Sequence, residues 1–314
     1  MKHVIALDVG GTGMKAALVA QDGTLLHVER RPTGREQGTD AVVAGILDFA
    51  AHLRDEGLRR YGTAASAAGV AVPGTIDEEH GIALFSANLG WRDLPLRQLL
   101  GERLSDHGEP LPVVLGHDVR TGAFAEGRIG AGRGADRFFF VALGTGIAGG
   151  YGIGGRIDAG AHGNAGEIGH IVIRPDGPPC GCGARGCLET LASAAAVTRA
   201  WAAASGDPEA DAADCARAVE AGDERAQQVW ADAIAALADG LIVVQSLLDP
   251  RTVILGGGLA EAGETLFTPL RAALQERITF QVPPTLVPAM LKDTAGCLGA
   301  GLLAWDLLSL EVTA

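Results

Sequence analysis

Residues 3–20 read HVIALDVGGTGMKAALVA, two apolar runs separated by the turn DVGGTG at 8–13. A third run, TLLHVER at 24–30, follows the turn QDG at 21–23, so the pattern predicts a β-meander. The glycine turn lies between two strands and opens no helix. It therefore does not fit the dinucleotide-binding fingerprint, and the Walker spacing is absent.

The same combination of strand, glycine turn and strand occurs again in the middle of the chain. RFFFVALGTG at 137–146 is followed by IAGGYGIGGRI at 147–157, and ALGTGIAGGYGIG weakly echoes LDVGGTGMKAALV. This echo predicts two similarly folded halves. A third apolar strand, RTVILGGG at 251–258, also runs into a glycine turn.

The remaining pattern alternates strands with helices, which indicates an α/β fold. Further strands are predicted for GVAVPG (69–74) and LPVVLG (111–116), and helices for Thr39–Arg60, Leu94–Leu104, Arg120–Gly127 and Thr294–Leu310. Several helices are predicted to dominate Ser193–Leu248. We expect two domains without a low-complexity linker: a smaller one from 1–117 plus 297–314, and a larger one from 118–296.

Bulk composition narrows the class of protein. The 314 residues have a net charge of -13, which disfavours nucleic acid as a partner but not small phosphates held by backbone N–H groups. The apolar segment Ala233–Leu248 carries Asp239 and is too short to span a bilayer, so we expect no membrane partner. The odd count of five cysteines without a secretory signal predicts a cytoplasmic protein.

The glycine turns predict a phosphate-binding function. A hairpin turn of small residues can wrap phosphates with its N–H groups and the Thr12 hydroxyl, while Asp8 can hold Mg²⁺. The alternative is a tight hairpin with a solvated aspartate. Three such turns in one chain favour a nucleotide cleft between two domains. The candidate cofactor-binding residues are Asp8, Gly10, Gly11, Thr12, Gly13, Lys15, Gly144, Thr145, Gly146, Gly256, Gly257 and Gly258.

Residues 162–190, HGNAGEIGHIVIRPDGPPCGCGARGCLET, carry three of the five cysteines. Cys180, Cys182 and Cys187 with one imidazole make a closed tetrahedral zinc site of structural type. His162 and His170 are both candidates for the imidazole. Free reactive thiols are the alternative, and an iron–sulfur cluster is disfavoured because a fourth nearby cysteine is lacking.

These motifs together resemble a known superfamily. DVGGTG, GVAVPG, HD before a helix, LGTGIAGG and ILGGG are similar to the ATPase superfamily that includes actin and hexokinase. GAHGNAGEIGHIVI followed by CGCGARGCLE resembles the signature of the ROK sugar kinases within it. The resemblance implies a two-domain actin-like ATPase (ribonuclease H-like) fold with an interdomain cleft. It also implies Mg·ATP as phosphoryl donor, structural Zn²⁺, and a homodimer or dimer of dimers.

The resemblance assigns roles to several polar residues. His170 would be the fourth zinc ligand, with its other ring nitrogen facing a sugar hydroxyl. Glu167 and Glu189 would accept hydrogen bonds from the same sugar. Asn88 and Gly74 would also meet the sugar; a turn-forming asparagine is the alternative for the former.

Asp118 would be the catalytic base that takes the proton of the sugar hydroxyl. Without the resemblance, a helix N-cap would be the preferred interpretation of Asp118. The family commonly has asparagine where His117 stands, so sugar preference is left open. Many relatives also have lysine where Gly13 stands, with Lys15 two positions on, which leaves polyphosphate open as a donor.

The sequence therefore predicts an ATP-dependent sugar kinase acting on the 6-hydroxyl of a hexose, with glucose expected. Kinases of N-acetylmannosamine, N-acetylglucosamine or fructose are alternatives, as is a catalytically silent ROK sugar sensor. A sugar-responsive repressor is disfavoured because the phosphate loop begins at Asp8, which leaves no room for a helix-turn-helix domain ahead of it.

Overall fold

The structure is a computed structural model that describes residues 1–105 and 108–311. The chain forms two compact units. Unit 1 contains Met1–Ala125, Gly160–Asn164 and the segment that begins at Asp293; unit 2 contains Glu126–Ala159 and Ala165–Lys292. The predicted domain limits at 117/118 and 296/297 stay a prediction.

Unit 1 is built on a five-stranded sheet with the order β3-β2-β1-β4-β8. Its elements are β1 (Val4–Val9), β2 (Gly13–Val19), β3 (Leu25–Pro32), α1 (Thr39–Tyr61), β4 (Ala68–Val72), β5 (Thr75–Asp77), β6 (Ile82–Phe85), β7 (Arg92–Leu94), α2 (Leu96–Arg103), β8 (Val113–His117), α3 (Asp118–Ile129), which continues into unit 2, and α9 (Ala295–Glu311). Strands β1 to β3 form the predicted meander, and β1, β4 and β8 are parallel.

Both faces of this sheet are buried because the side chains of each strand alternate between two apolar layers. Ile5 and Leu7 on β1 pack in the core that includes Ile46 of α1. Val4 and Ala6 belong to the opposite core, which includes Trp305 of α9. The long predicted helices 39–60 and 294–310 are thus confirmed within a residue at each end.

The chain between β4 and α2 contains a three-stranded antiparallel sheet, β5-β6-β7, that the sequence analysis does not predict. The sequence predicts a helix from Leu94, but Leu94 ends strand β7, and α2 begins at Leu96. The physical reason is Pro95, since a residue before proline is driven from the helical to the extended conformation.

Unit 2 repeats the topology of unit 1, with the sheet order β11-β10-β9-β12-β13. Its elements are β9 (Arg137–Leu143), β10 (Ile147–Ile153), β11 (Arg156–Asp158), α4 (Leu188–Ala192), α5 (Ala194–Ser205), α6 (Ala212–Glu220), α7 (Glu224–Leu248), β12 (Thr252–Gly256), α8 (Glu264–Arg277) and β13 (Thr285–Pro288). In each unit an antiparallel meander is followed by two parallel strands. The prediction of an α/β protein with two similarly folded halves is confirmed.

Helix α7 is long and apolar enough to cross a membrane by length and composition alone, but half of its apolar window is buried. Trp230, Leu237 and Leu241 of this helix belong to the hydrophobic core of unit 2. Such burial is typical of the central helix of a globular domain.

Candidate functional site

The carboxyl ends of three parallel strands define the polar edge of the sheet in unit 1. Asp8 on β1 pairs in register with Ala71 of β4, and Val72 of β4 pairs with His117 at the end of β8. Gly74 follows β4, and Asp118 is the first residue of α3 directly after β8. The structure thus brings the predicted Mg²⁺ carboxylate and the predicted base to one edge of one sheet.

The first glycine turn is a closed hairpin. Gly10 N–H donates to Gly13 O at 2.9 Å, and the Thr33 hydroxyl donates to Gly10 O at 2.7 Å. A Cβ placed on Gly11 would lie 3.9 Å from the Cβ of Asn88. The predicted phosphate turn and the predicted sugar-binding asparagine are therefore neighbours within unit 1.

Asp8 is held in a largely buried, charged environment. Lys15 lies opposite Asp8 in the antiparallel register, and its Nζ is 2.9 Å from Asp293 Oδ2. Burial raises the pKa of Asp8 to about 6; the Lys15 ammonium opposes this rise and the Asp293 carboxylate adds to it. Lys15, predicted to bind phosphate, is paired with Asp293, a partner that the sequence did not indicate.

The glycine at position 74 has a packing reason of its own. Gly74 adopts φ +97°, and a Cβ there would lie 2.1 Å from Phe85 O. Any larger residue would therefore displace the backbone of β6, whether or not a sugar binds nearby.

His117 and Asp118 form a close pair at the junction of β8 and α3. His117 Nδ1 is 3.3 Å from Asp118 Oδ1, which also accepts the Val119 N–H at 2.7 Å. Burial, assisted by the Arg120 cation, lowers the pKa of His117 to about 3. The imidazole is therefore neutral at physiological pH, and the pair is a polar contact and not an ion pair.

The second and third glycine turns lie side by side in unit 2. Strand β12 is parallel to β9, and a Cβ on Gly257 would meet Leu143 O at 2.5 Å. A cavity of about 200 Å³ adjoins the third turn. Its lining consists of Ala212, Ala213, Ala216, Arg217, Glu220, Trp230, Gly258, Leu259, Glu261 and Ala262.

Glu189 lies against the second turn. Its Oε2 accepts the Ile147 N–H at 2.9 Å, and a Cβ on Gly146 would lie 2.4 Å from the same oxygen. A carboxylate predicted to bind sugar is therefore fixed on the backbone of a turn predicted to bind nucleotide.

The thiols and His170 form one cluster in unit 2. The ligand atoms of His170, Cys180, Cys182 and Cys187 all lie within 4.8 Å of one another. Cys180 Sγ is 3.6 Å from His170 Nδ1, and Cys182 Sγ is 3.7 Å from Cys187 Sγ. His162, the other candidate, belongs to unit 1 and is not part of this cluster.

The chemistry of this donor set fits zinc. Three sulfurs and one imidazole nitrogen are the ligands of a closed structural site. The Ala184 N–H holds the pKa of Cys182 below its usual range, while burial raises the pKa of Cys187 to about 12. Metal binding must therefore displace a proton from Cys187. The other ring nitrogen of His170, Nε2, is 3.9 Å from Glu167 Oε2.

Several polar residues at these sites were missed by the sequence analysis. Arg120 and Asp293 look like surface charges in the sequence, yet the first is buried and the second pairs with Lys15. Glu126 is fully buried and accepts the N–H groups of Ala131 and Leu291, both at 2.7 Å. Their partners lie far along the chain or in loops, so no local pattern signals them.

Comparison with known proteins agrees with these features. The profile of the ROK family matches residues 4–306. A glucokinase of Thermotoga maritima is 35% identical over 313 residues, which cover 95% of each chain. An N-acetylmannosamine kinase of Escherichia fergusonii is 34% identical over 304 residues, 96% of this chain and 97% of the relative.

Solved structures give the same result. The ROK family glucokinase of Streptomyces griseus, crystallised with glucose and AMPPNP, is 31% identical, with a TM-score of 0.81 over 97% of this chain and 99% of that one. The predicted two-domain actin-like ATPase fold is thereby confirmed. This chain belongs to the ROK family.

Proposed function

We propose that this ROK-family sugar kinase transfers the γ-phosphoryl group of ATP to the 6-hydroxyl of a hexose, with glucose as its substrate. The observation that carries the proposal is the polar edge of unit 1, where Asp118 and Asp8 follow parallel strands of one sheet. A base and a cation-binding carboxylate are the two charged groups that phosphoryl transfer requires.

Asp118 acts as the general base. Its carboxylate takes the proton from the sugar 6-hydroxyl as that oxygen forms a bond to the γ-phosphorus and the bond from phosphorus to the ADP oxygen breaks. The Val119 N–H, 2.7 Å from Oδ1, orients the carboxylate. The neutral His117 beside it places no competing positive charge on the base.

Asp8 is the residue that would hold Mg²⁺, because its oxygens are hard ligands beside the first glycine turn. The cation, when bound, neutralises phosphate charge. The chain itself supplies the turns: Gly10, Gly11, Thr12 and Gly13 in unit 1, and Gly144, Thr145, Gly146 and Gly256, Gly257, Gly258 in unit 2. The cavity beside Gly258, with its alanine and Trp230 walls, suits the flat apolar face of the nucleoside base.

Zinc would be held by His170, Cys180, Cys182 and Cys187 and has a structural role, since four protein ligands close its coordination. His170 Nδ1 faces the sulfurs, so Nε2 is the nitrogen available for a sugar hydroxyl. Glu167, 3.9 Å from Nε2, would accept from the same sugar. Gly74, Asn88, His117 and Glu189 complete the proposed sugar contacts.

We propose glucose before the other hexoses because the similarity to the glucokinase relative and to the glucose-bound structure extends over nearly the whole chain. N-acetylmannosamine is the second candidate substrate, since a relative of nearly equal identity carries that activity in its name. A cytoplasmic location and a homodimer or dimer of dimers remain predictions.

A panel of hexoses tests the proposal. Glucose, mannose, fructose, N-acetylmannosamine and N-acetylglucosamine are each incubated with Mg·ATP or Mg·polyphosphate, and the product is identified by ³¹P and ¹³C NMR. The expected result is glucose 6-phosphate from ATP. If folded, zinc-loaded protein phosphorylates none of these sugars, the proposal is contradicted and a catalytically silent sugar sensor is favoured.

A further inference from the structure

The short segment Gly160–Asn164 belongs to unit 1, although the chain on both sides of it belongs to unit 2. We refer to these five residues as the strap. At its base, the Ala165 N–H donates to Ala159 O at 3.1 Å, so the strap is a closed loop. Its two polar side chains, His162 and Asn164, are exposed.

A buried arginine holds the strap. Arg120 is only 4% exposed, and its Nη1 donates to Gly163 O at 2.7 Å. Its Nη2 donates to Glu78 Oε1 at 2.9 Å. Nε is buried without a hydrogen-bond partner among the described residues, so these two contacts carry the guanidinium. Losing either one would leave a buried cation poorly compensated.

We refer to Arg120 with its two acceptors, Gly163 O and Glu78 Oε1, as the clamp. The Glu78 end of the clamp is itself fixed. Glu78 follows strand β5, and the carbonyl oxygens of Glu78 and Glu79 accept hydrogen bonds from Arg97 of α2. A Cβ on Gly163 would lie 3.3 Å from Ile76 O on β5. The strap therefore rests on a firmly held turn of unit 1.

The backbone of Arg120 is close in sequence to the proposed catalytic base. Arg120 lies in the first turn of α3, which Asp118 opens, and the Arg120 N–H is 3.4 Å from His117 Nδ1. The Arg120 side chain therefore ties the strap to α3, the helix that begins at Asp118.

We propose that Arg120 is a positioning residue that ties the strap to the helix that Asp118 begins, and that the strap, through His162 and Asn164, selects among hexoses. The inference rests on the proposed sugar kinase activity. Imidazole and amide groups on a fixed loop can form hydrogen bonds with sugar hydroxyls. A sugar whose substituent leaves these groups without a hydrogen bond binds less well. Arg120 acts through the strap and needs no contact with the reacting atoms.

The test compares kcat/KM for glucose, mannose and N-acetylmannosamine in wild type and variants. Arg120→Gln and Glu78→Gln each release one part of the clamp, while His162→Ala and Asn164→Ala alter the strap directly. Arg103→Gln, which removes only an exposed ion pair with Asp48, is the matched control. We expect the ratio between the best and second sugar to change by about tenfold in the clamp and strap variants, and not in the control.

A purely structural role for Arg120 would lower kcat/KM for all sugars equally and leave the ratios unchanged, which would overturn the inference. If Arg120→Gln does not fold, the two strap variants decide the matter, because His162 and Asn164 are exposed and carry no contact of the buried guanidinium. Absence of any sugar phosphorylation in the wild type would instead count against the proposed function.

Discussion

Lys15 on β2 lies directly opposite Asp8 on β1, and side chains in such register project from the same face of the sheet. The Lys15 ammonium is 2.9 Å from Asp293, which also pairs with Arg30 at 2.6 Å. The carboxylate proposed to hold Mg²⁺ is thus followed by a cation and then by a second carboxylate. Burial raises the pKa of Asp8, and these two neighbouring charges modify it in opposite directions.

The stability of the protein without added Mg²⁺ or nucleotide should reveal the ionisation of Asp8. Burial raises its folded pKa to about 6 from 3.8, so the folded state binds this proton more tightly than the unfolded state. Ionisation therefore destabilises the fold as pH rises through this range, and no penalty exists below pH 3.8. The rise in pKa from 3.8 to about 6 corresponds to a loss of roughly 3 kcal/mol in the free energy of unfolding, since one pKa unit equals about 1.36 kcal/mol.

Asp8→Asn removes that penalty. We expect the variant to be more stable than wild type in urea at pH 8, with the difference vanishing near pH 4, while its kinase activity is lost. Equal stability of both proteins at every pH would contradict the raised pKa.

Neighbouring charges should move the acid limb of the activity profile in opposite directions. The Lys15 ammonium lowers the pKa of Asp8 and the Asp293 carboxylate raises it. Lys15→Met should therefore shift the acid limb of kcat/KM for ATP to higher pH, and Asp293→Asn should shift it to lower pH. The exposed Asp48→Asn serves as control. Shifts in the same direction for both variants would refute this coupling.

The thiol cluster should determine both metal content and stability. Cys182→Ala is expected to lose about one equivalent of zinc, measured by mass spectrometry, because three ligands no longer close the site. If the free energy of unfolding of Cys182→Ala falls by a few kcal/mol, its Tm should fall by about 5–10 °C. Cys215→Ala, in helix α6 outside the cluster, should retain its zinc. Full zinc occupancy in Cys182→Ala would argue against the assigned ligands.

His117 should influence sugar choice without contributing to the pH profile. Burial lowers its pKa to about 3, so the imidazole is already neutral over the working range. His117→Asn, which restores the residue common in the family, should change the ranking of hexoses and leave the acid limb in place. The check is kcat/KM for two sugars between pH 5 and 9. A shifted acid limb would mean that the histidine titrates there.

Local sequence signals predicted much of the fold. The longer apolar strands, the glycine turns and the cysteine cluster are recognisable because their residues are close in sequence, whereas the short strands β5, β6, β7 and β13 are not predicted. The metal cluster is the clearest case, since four ligands within 18 residues, His170 to Cys187, converge as expected. The sequence predicts a strand that ends just before His117 and Asp118; in the structure the strand includes His117, and Asp118 follows it directly.

Contacts between distant segments could not be predicted in the same way. Three contacts join residues that no local sequence pattern relates. They are Lys15 with Asp293, Glu126 with the Leu291 N–H, and Arg120 with Gly163 O. A charged residue in a helix normally reads as solvent-exposed, so a buried one is invisible until its partners are known. Gly74 shows the converse, because its close approach to Phe85 gives a glycine requirement independent of ligand.

Sugar-dependent ATP turnover by Asp118→Asn is the most direct test of the proposed chemistry. The variant keeps the size of Asp118 and one acceptor oxygen for the Val119 N–H, but its amide cannot take the sugar proton. Asp55→Asn on the surface is the matched control. We predict glucose binding within a few-fold of wild type by calorimetry and a kcat reduced by about 10²–10⁴. Retention of wild-type kcat in Asp118→Asn would show that another group removes the proton.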